Sequence, residues 1–232
     1  MPYREALDLQ RLVHREVAGG VRPHTLLLLE HPPVYTLGRR GGREHLHLSP
    51  AEAEALGVEV LATDRGGLVT FHGPGQLVAY PIVGLAALGR SLAWYVARLL
   101  DAAVATARGL GVPAARVDPA RPGIWVEERK LASVGVRLTE GATLHGLALN
   151  LDPDLSWFRR MSPCGLTVDA TSLVAEGAPP VAPLAAGACL HRGLATALGL
   201  APGLLYRVNN LNTRGFDLIR KAGSTGDQEG GA

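Results

Sequence analysis

The chain has 232 residues, of which 47% are hydrophobic and 19% charged, and its formal net charge is +2 at pH 7. These values are typical of a soluble globular protein with one sizeable core, and they do not require a second domain. The lack of a long basic run interleaved with aromatic residues argues against nucleic-acid binding. No apolar run reaches the length of about eighteen residues expected of a membrane-spanning helix, and the charged N-terminus lacks the apolar core of a signal peptide. We therefore expect a cytoplasmic protein that does not enter a membrane.

Helices are predicted where apolar residues recur at helical spacing or where capping residues mark a helix start. Ser49 can cap a short helix that ends at Gly57, because Pro50 fits the first helical position and Glu52 completes a capping box. The predicted helices are residues 3–18, residues 49–57, a long helix that starts near Ser91 and ends at Gly109 or Gly111, a short segment over 154–161 and an alanine-rich helix over about 183–198.

Strands are predicted where short apolar or β-branched runs are bounded by glycine, proline or polar residues. The predicted strands are residues 25–30, 34–38, 58–63, 68–72, 76–82, 123–126, 130–138 and 143–151. The last three are expected to be antiparallel, because only short polar loops join them. Helices interspersed with strand hairpins predict an α+β fold. With no internal repeat or linker, we expect one domain over residues 1–218 and a disordered tail over residues 219–232.

The two cysteines lie in different settings. Cys164 stands between Pro163, which fixes its own φ, and Gly165, which permits unusual backbone angles, so we expect its thiol on a shaped turn that faces a cleft. Cys189 lies in the alanine-rich helix and is expected to be a small buried apolar residue. A disulfide between them is unfavourable in a reducing compartment.

Lysine is rare in this chain. Of 23 basic residues, only Lys130 and Lys221 are lysine, and Lys221 lies in the predicted tail. Because an arginine guanidinium does not lose its proton, a lysine retained among arginines favours a role that needs a neutral amine. If residues 130–138 form a regular strand, Lys130 shares a face with the apolar side chains at 132, 134, 136 and 138. Apolar neighbours would remove water from the Lys130 amine and so lower its pKa, which would suit Lys130 to act as a base near neutrality. The alternative is a strand-end lysine whose amine reaches solvent.

The glycine-rich segment 64–82 is the densest candidate for a binding site. Gly66, Gly67, Gly73 and Gly75 leave backbone N–H groups accessible to a ligand. The segment lacks the phosphate-loop pattern and does not open a helix. Two tight turns around a hairpin are the alternative. We favour a site, because a histidine and a glutamine flank the second turn.

Small side chains follow in a later predicted strand. Gly146, Ala148 and Asn150 are expected to share a face with Leu144. They leave room for a slender substrate, although tight packing within a sheet would use the same residues. No metal site is predicted, since the eight histidines are scattered and none has the spacing of a ligand motif.

Four segments together resemble one family. RGGLVTFHGPGQLVAYPI (65–82), RKLASVGVRL (129–138), LHGLALNL (144–151) and SPCG (162–165), in this order and spacing, resemble the octanoyltransferases of lipoate biosynthesis, also called lipoyl(octanoyl) transferases. HPPVYTLGR (31–39) fits the family's N-terminal segment. The resemblance extends from about Thr25 to about Leu173, and residues after about 175 match only loosely. Leu68 and Leu144 depart from the residues more usual in the family.

The resemblance implies the catalytic-domain fold of biotin and lipoate protein ligases, a mixed, largely antiparallel sheet flanked by helices. It also implies transfer of an octanoyl group from octanoyl-acyl carrier protein to a lysine of the apo lipoyl domains of 2-oxoacid dehydrogenase complexes and of the glycine-cleavage H protein. This is the first committed step of endogenous protein lipoylation, and no cofactor is implied.

The family's functional residues map onto this sequence. Cys164 matches the cysteine that carries the acyl thioester, and Lys130 matches the lysine that lowers its pKa. The implied substrate-binding residues are Arg65, Gly66, Gly67, Leu68, Val69, Thr70, Phe71, His72, Ser133, Val134, Gly135, Gly146, Leu147 and Ala148. His145 is a supporting candidate. His72 and His145 either contact the thioester or orient a loop, and a structural histidine fits both positions equally well.

The implied chemistry agrees with these residue types. Exchange of a thioester onto a cysteine thiolate is nearly balanced in free energy and needs no ATP, and a cationic lysine favours the thiolate. A neutral Lys130 can accept the proton of the incoming amine, and the glycine-rich loops are candidate N–H donors to the oxyanion. Arg39, Arg40 and Arg43 are expected to be solvated, with docking of the acidic acyl carrier protein as the alternative.

Two other functions use related features. An ATP-dependent lipoate or biotin ligase on the same fold needs no cysteine nucleophile, and the HGPGQ and PCG segments argue against it. A catalytically silent domain that binds lipoyl-domain partners would not need Cys164 and Lys130 together.

Overall fold

The computed structural model describes residues 1–162, 169–200 and, for the backbone alone, 205–209. Cys164 and Lys221 lie outside the described residues, as does the tail predicted over 219–232. One domain ending near residue 218 therefore stays a prediction.

The described residues form five α-helices, ten strands and two 3₁₀ segments. The helices are α1 (Tyr3–Ala18), α2 (Pro50–Ala55), α3 (Leu85–Leu88), α4 (Leu92–Gly109) and α5 (Pro183–Leu198). The strands are β1 (His24–Leu29), β2 (Val34–Leu37), β3 (Glu59–Ala62), β4 (Val69–His72), β5 (Gln76–Ile82), β6 (Arg116–Asp118), β7 (Arg121–Val126), β8 (Arg129–Thr139), β9 (Ala142–Asn150) and β10 (Leu205–Asn209). The 3₁₀ segments are Arg43–His45 and Leu155–Arg160. Across these described parts of the chain, no helix combines the length and apolar character needed to cross a bilayer.

Each predicted helix and strand is found, with small shifts at its ends. The capping box is confirmed, since the Ser49 hydroxyl accepts from the Glu52 N–H and the Glu52 carboxylate accepts from the Ser49 N–H. The predictions missed α3, β6 and β10. The first two are four and three residues long, too short for periodicity to reveal them.

The strands form two sheets. The larger has the order β10-β1-β5-β9-β8-β7-β6 and is antiparallel except where β1 and β10 pair in parallel. The smaller has the order β3-β2-β4, with β2 parallel to β3 and antiparallel to β4. The predicted α+β class with a mixed, largely antiparallel sheet is confirmed.

Strands β4 and β5 belong to different sheets, although only three residues separate them. The hairpin considered for this segment is therefore wrong, because the Gly-Pro-Gly turn crosses from the smaller sheet to the larger one. Gly75 has φ +82°, and a Cβ there would overlap the carbonyl of Asp152. The turn thus requires glycine to lie directly against the chain that follows β9.

Alternate side chains of the larger sheet enter two different cores. On β1, Leu26 and Leu28 face the core beneath α4 and α5, whereas Leu27 and Leu29 face α1. A third core joins the smaller sheet to α2 and to the 3₁₀ segment Leu155–Arg160.

Helix α5 also carries Cys189, which was predicted to be buried. It is half-buried instead, and Arg192 Nη2 lies 3.3 Å from its sulfur. The alanine-rich sequence correctly predicted the helix but not which of its faces is covered.

Pro81 interrupts the hydrogen bonding between β5 and β9, because proline has no N–H. The Pro81 carbonyl accepts from two side chains, the Tyr95 hydroxyl at 2.9 Å and the Thr143 hydroxyl at 2.8 Å. Thr143 also accepts from the Val83 N–H at 2.9 Å. Side chains therefore replace main-chain partners at this point of the sheet.

His145 lies in β9 near this gap and has φ +60°, a left-handed conformation. Its N–H donates to the Gln10 side chain of α1 at 2.9 Å. The backbone turn places His145 and its neighbour Gly146 in the wall of the same cleft, which regular strand alternation would not do.

Replacing Thr143 with valine tests whether its side chain satisfies the backbone groups that lack main-chain partners near Pro81. The change preserves shape but leaves the buried Val83 N–H unpaired, so we expect the free energy of unfolding to fall by about 1–3 kcal/mol. Urea denaturation measures it.

Thr106→Val is the matched control. Its buried hydroxyl donates to the Ala102 carbonyl within α4, and no main-chain N–H depends on it. We expect a loss below about 1 kcal/mol, in line with the weak effect of such helical bonds. Equal losses in the two variants would contradict the role given to Thr143.

Candidate active site

A cleft opens between the two sheets, with Tyr3 of α1 in its wall. Its volume is about 100 Å³, several times the roughly 10–15 Å³ that one water needs. Residues of β4, β5, β8 and β9 supply most of its lining, together with loops on either side.

Of the sixteen predicted site residues that the structure describes, fourteen line this cleft. Those that do are Arg65, Gly67, Leu68, Val69, Thr70, His72, Lys130, Ser133, Val134, Gly135, His145, Gly146, Leu147 and Ala148. Phe71 turns the other way and stacks on Trp157, with ring centroids 5.2 Å apart. Gly66 contributes a carbonyl that accepts from Arg65. Cys164 lies outside the described residues.

Eight further residues line the cleft: Tyr3, Arg40, Tyr80, Pro122, Asn150, Phe158, Met161 and Ala170. Asn150 was expected to leave room for a substrate and Arg40 belongs to the loop considered for docking of acyl carrier protein, whereas the other six were not predicted. Tyr80 belongs to β5, within the glycine-rich segment 64–82 that was chosen as the densest candidate for a site, so that segment could have pointed to it. Tyr3 and Met161 reach the cleft from segments distant in sequence, and no local pattern reveals that.

Arg65 brings a guanidinium into the wall of the cleft while only 6% exposed. Nε and Nη2 donate to Thr36, and Nη1 donates to the Gly66 carbonyl at 3.0 Å. Burial lowers the pKa of Arg65, yet an arginine stays protonated in proteins. A Cβ at Gly38 would lie 2.8 Å from Nη1, and one at Gly135 would lie 3.3 Å from Arg65 Cδ. These glycines make room for the buried side chain.

Lys130 lines the same cleft from the start of β8 and is half-buried. Its Nζ lies 5.3 Å from the centroid of the Trp125 ring. Gly123 has φ +136°, and a Cβ there would lie 2.8 Å from Lys130 Cε. Glycine at this position therefore lets the lysine side chain lie against β7.

The regular alternation predicted over residues 130–138 is wrong at its beginning. The register of β7 and β8 shifts, so that Ile124 pairs with Ala132 and Trp125 with Lys130. Leu131 and Ala132 are consecutive, yet both are buried in the core beneath α4 and α5. Lys130 lines the cleft rather than continuing the apolar face of Ala132.

The chain on either side of residues 163–168 is held at the cleft. Met161 and Ala170 both line it. The Lys130 N–H donates to the Asp169 carbonyl at 2.8 Å, and Ala170 forms a parallel bridge with Lys130. The segment that follows Cys164 thus pairs with the strand that carries Lys130.

Asp64 and His145 form a charged pair beside the cleft. Asp64 accepts from His145 Nε2 at 2.6 Å and also pairs with Arg137. The hydrogen bond from His145 holds the pKa of Asp64 well below its usual range. Burial lowers the pKa of His145, which outweighs the attraction of Asp64. At neutral pH an ionised Asp64 therefore accepts the Nε2–H of a neutral His145.

Two tyrosines extend these polar contacts. The Tyr3 hydroxyl lies 3.5 Å from His145 Nδ1, and burial raises the pKa of Tyr3 to about 12. The Tyr80 hydroxyl lies 2.8 Å from His31 Nε2. Because His31 Nδ1 must donate to the Met1 carbonyl, Nε2 accepts from Tyr80. Burial lowers the pKa of His31 to about 4, so this ring is neutral.

The basic loop is exposed, as expected. Arg39, Arg40 and Arg43 all face solvent, and Arg43 donates to the Leu48 carbonyl at 3.0 Å. Arg40 also reaches the edge of the cleft.

Sequence relatives identify the family. Residues 2–190 match the family described as "Lipoyl protein ligase A/B catalytic domain". An octanoyltransferase of Acidothermus cellulolyticus is 46% identical over 182 residues, covering 76% of this chain and 78% of that protein. The octanoyltransferase of Geobacter metallireducens is also 46% identical over 182 residues, covering 78% of this chain and 82% of that protein. The chain belongs to the octanoyltransferase family.

Solved structures agree on the fold that this octanoyltransferase family member adopts. Lipoate-protein ligase A bound with ATP superposes with a TM-score of 0.66 at 15% identity, covering 93% of this chain and 89% of that one. Protein Ta0514 from T. acidophilum with bound lipoic acid has a TM-score of 0.65 at 16% identity, covering 92% and 88%. At such identities the likeness confirms the predicted ligase-type fold and nothing finer.

Asp64→Asn should change how stability depends on pH. The pKa of Asp64 is lower in the folded state than in the unfolded state, where it is about 3.9. The contribution of Asp64 to the free energy of unfolding is therefore fully present above the unfolded-state pKa and is lost as the pH falls through the folded-state pKa. We expect the wild-type free energy of unfolding to fall more steeply than that of the variant below about pH 4.5, so that the difference between them shrinks.

Urea denaturation at a series of pH values measures both curves. Asp101→Asn, which removes an exposed carboxylate on α4, is the control, and its curve should run parallel to that of the wild type. A parallel curve for Asp64→Asn would contradict the depressed pKa.

Proposed function

We propose that the chain is an octanoyltransferase of protein lipoylation. It transfers an octanoyl group from octanoyl-acyl carrier protein, through a thioester on Cys164, to a lysine of apo lipoyl domains and of the glycine-cleavage H protein. The observation that carries this function is the cleft beside Lys130. Met161 and Ala170, which precede and follow the segment containing Cys164, both line that cleft. About 45% identity to curated octanoyltransferases supports the same reaction.

In the first step the Cys164 thiolate attacks the carbonyl carbon of the octanoyl thioester. A new C–S bond forms, the C–S bond to the carrier breaks, and the carrier leaves as a thiolate that takes up a proton. A protonated Lys130 favours the thiolate of Cys164 over its thiol. No nucleotide is required, because one thioester replaces another.

In the second step the ε-amine of the acceptor lysine attacks the acyl carbon. An amide C–N bond forms, the C–S bond to Cys164 breaks, and the amine loses a proton that a neutral Lys130 accepts. Negative charge on the carbonyl oxygen develops in both steps, close to the buried guanidinium of Arg65.

The lining of the cleft suits an unbranched acyl chain. Val69, Leu147, Ala148 and Met161 give it apolar walls, and Gly146 leaves space between them. The acceptor proteins and a cytoplasmic location remain predictions.

Mass spectrometry of the intact protein tests the nucleophile. After incubation with octanoyl-acyl carrier protein, without ATP and with EDTA present, we expect wild type and Cys189→Ala each to gain one octanoyl group that hydroxylamine removes. Cys164→Ala should gain none, because it lacks the thiolate.

Cys189→Ala is the matched control, since Cys189 is the other cysteine of the chain and lies on α5. Acylation of Cys164→Ala would assign the nucleophile elsewhere. A strict requirement for ATP with free octanoate as donor would place the chain among the ligases.

Lys130→Arg should be nearly as damaging as Lys130→Ala. Arginine keeps the positive charge but cannot accept a proton, so loss of general-base catalysis should lower the rate by about 10²-fold or more. The measurement is octanoyl transfer to a lipoyl domain, with thermal melting to verify folding. A folded Lys130→Arg enzyme with near wild-type turnover would leave Lys130 as a charge partner only.

A further inference from the structure

Three buried side chains form a continuous row of hydrogen bonds across the cleft wall. His72 Nδ1 lies 2.8 Å from Gln76 Oε1, and Gln76 Nε2 donates to Asn150 Oδ1 at 2.9 Å. Asn150 Nδ2 donates to the Thr171 carbonyl at 2.8 Å. Each of the three side chains is at most 6% exposed. The row therefore joins β4, β5 and β9 to the segment that returns from Cys164.

Two backbone carbonyls set the direction of this row, because a carbonyl can only accept. The Thr171 carbonyl requires the amide nitrogen of Asn150, which turns Asn150 Oδ1 toward Gln76. The Phe71 carbonyl accepts from Gln76 Nε2 at 3.3 Å, which leaves Gln76 Oε1 facing His72. The last bond then requires a proton on His72 Nδ1.

The ring of His72 is neutral. Burial is the main cause that lowers its pKa well below the usual value. The titratable and charged groups that face it are Tyr3 of α1, His31, Arg65, Tyr80 of β5, His145 of β9 and, in the same cleft, Lys130. Three of them, His31, Arg65 and His145, disfavour a second proton, and the hydrogen bond to the uncharged amide of Gln76 does not compensate. A neutral ring with a proton on Nδ1 has an unprotonated Nε2.

This Nε2 is a free acceptor at the cleft. His72 lines the cleft, and its Nε2 makes no hydrogen bond with any residue in the part of the chain that the structure describes. Because the side chain lines the cleft, a ligand bound there can supply the donor that this nitrogen lacks. The thiolate proposed for Cys164 has no proton to give.

We propose that His72 Nε2 accepts a hydrogen bond from an N–H group of the substrate, and that Gln76 and Asn150 are positioning residues that hold it in this state. The role rests on the proposed octanoyl transfer. That reaction offers two kinds of N–H donor: the amine of the acceptor lysine, and the amides of the pantetheine arm that carries the donor thioester.

The row also fixes where this acceptor lies relative to the nucleophile's segment. The Thr171 N–H donates to the Lys130 carbonyl at 2.9 Å, and its hydroxyl donates to Glu176, which Arg129 binds through two nitrogens. His72 and the chain that follows Cys164 are therefore tied to the same strand as Lys130.

His72→Phe tests the acceptor. Acylation of the enzyme and its discharge onto a lipoyl domain are timed separately by rapid quench and mass spectrometry. Loss of one hydrogen bond should slow the affected step by about 10-fold. Slower discharge identifies the acceptor amine as the donor of the hydrogen bond, and slower acylation identifies the pantetheine amides.

His72→Gln, whose side-chain oxygen can still accept, should recover part of the rate, and it replaces His72→Phe as the test if that variant does not fold. If neither step slows by more than about threefold in a folded variant, the proposal is wrong.

Gln76→Glu tests the positioning role through pH. A carboxylate still accepts from Nδ1 but raises the pKa of His72, so Nε2 becomes protonated and stops accepting at a pH where it is free in wild type. The acid limb of the pH–rate profile should move up by about one unit or more.

Gln76→Met is the matched control. It also loses the bonds to Asn150 and Phe71 but adds no charge, so it should lower the rate without moving the acid limb. A purely structural role for Gln76 predicts the same profile shape in both variants, and that result would overturn the positioning role.

The tautomer has a readout that needs no activity. In ¹⁵N-histidine spectra of the wild-type protein, assigned with His72→Gln, His72 should carry its proton on Nδ1 and stay neutral below pH 6.5. A proton on Nε2 at pH 7 would overturn the inference, even if the chain transfers octanoyl groups. The expected tautomer in a chain that transfers none would instead count against the proposed function.

Discussion

Because Pro81 has no N–H, β5 and β9 cannot complete their hydrogen bonding in the middle of the larger sheet. Tyr95 and Thr143 satisfy its carbonyl, and across the gap His145 adopts a left-handed conformation supported by Gln10. Two central strands buried on both faces would otherwise present a closed surface to the smaller sheet. At the gap, His145 lies in the wall of the cleft with Gly146 beside it. The cleft therefore begins where the hydrogen bonding of the sheet is interrupted.

The polar groups around the cleft share one electrostatic bias. Arg65 is buried with uncharged partners among the described residues, and Lys130 lies half-buried nearby. The ionised Asp64 is already occupied by His145 and Arg137. His72 and His31 are held neutral by burial. Such a wall favours a ligand on which negative charge develops, as it does on a thiolate and on the oxyanion of acyl transfer.

The sequence revealed most of the secondary structure, because long periodic segments such as α1 and α4 carry strong local signals. It also pointed to the glycine-rich segment 64–82, from which Arg65, Gly67 and His72 line the cleft. It did not reveal that β4 and β5 separate into two sheets, since a Gly-Pro-Gly turn permits either arrangement. The register shift before Ala132 and the entry of Tyr3 into the cleft depend on packing between distant segments, and no pattern within a short window encodes that.

The two walls of the cleft belong to separate hydrogen-bonded sheets, joined on one side by the turn between His72 and Gln76. In the described residues, no strand pairing crosses from one sheet to the other. The distance between the walls is therefore set by side-chain contacts, by the connections over residues 30–33 and 73–75 and by single main-chain bonds such as that from the Gly66 N–H to the Val136 carbonyl, not by a ladder of main-chain bonds. Small changes in that distance break no ladder, so the width of the cleft can change at a lower cost in free energy than the strand spacing within either sheet.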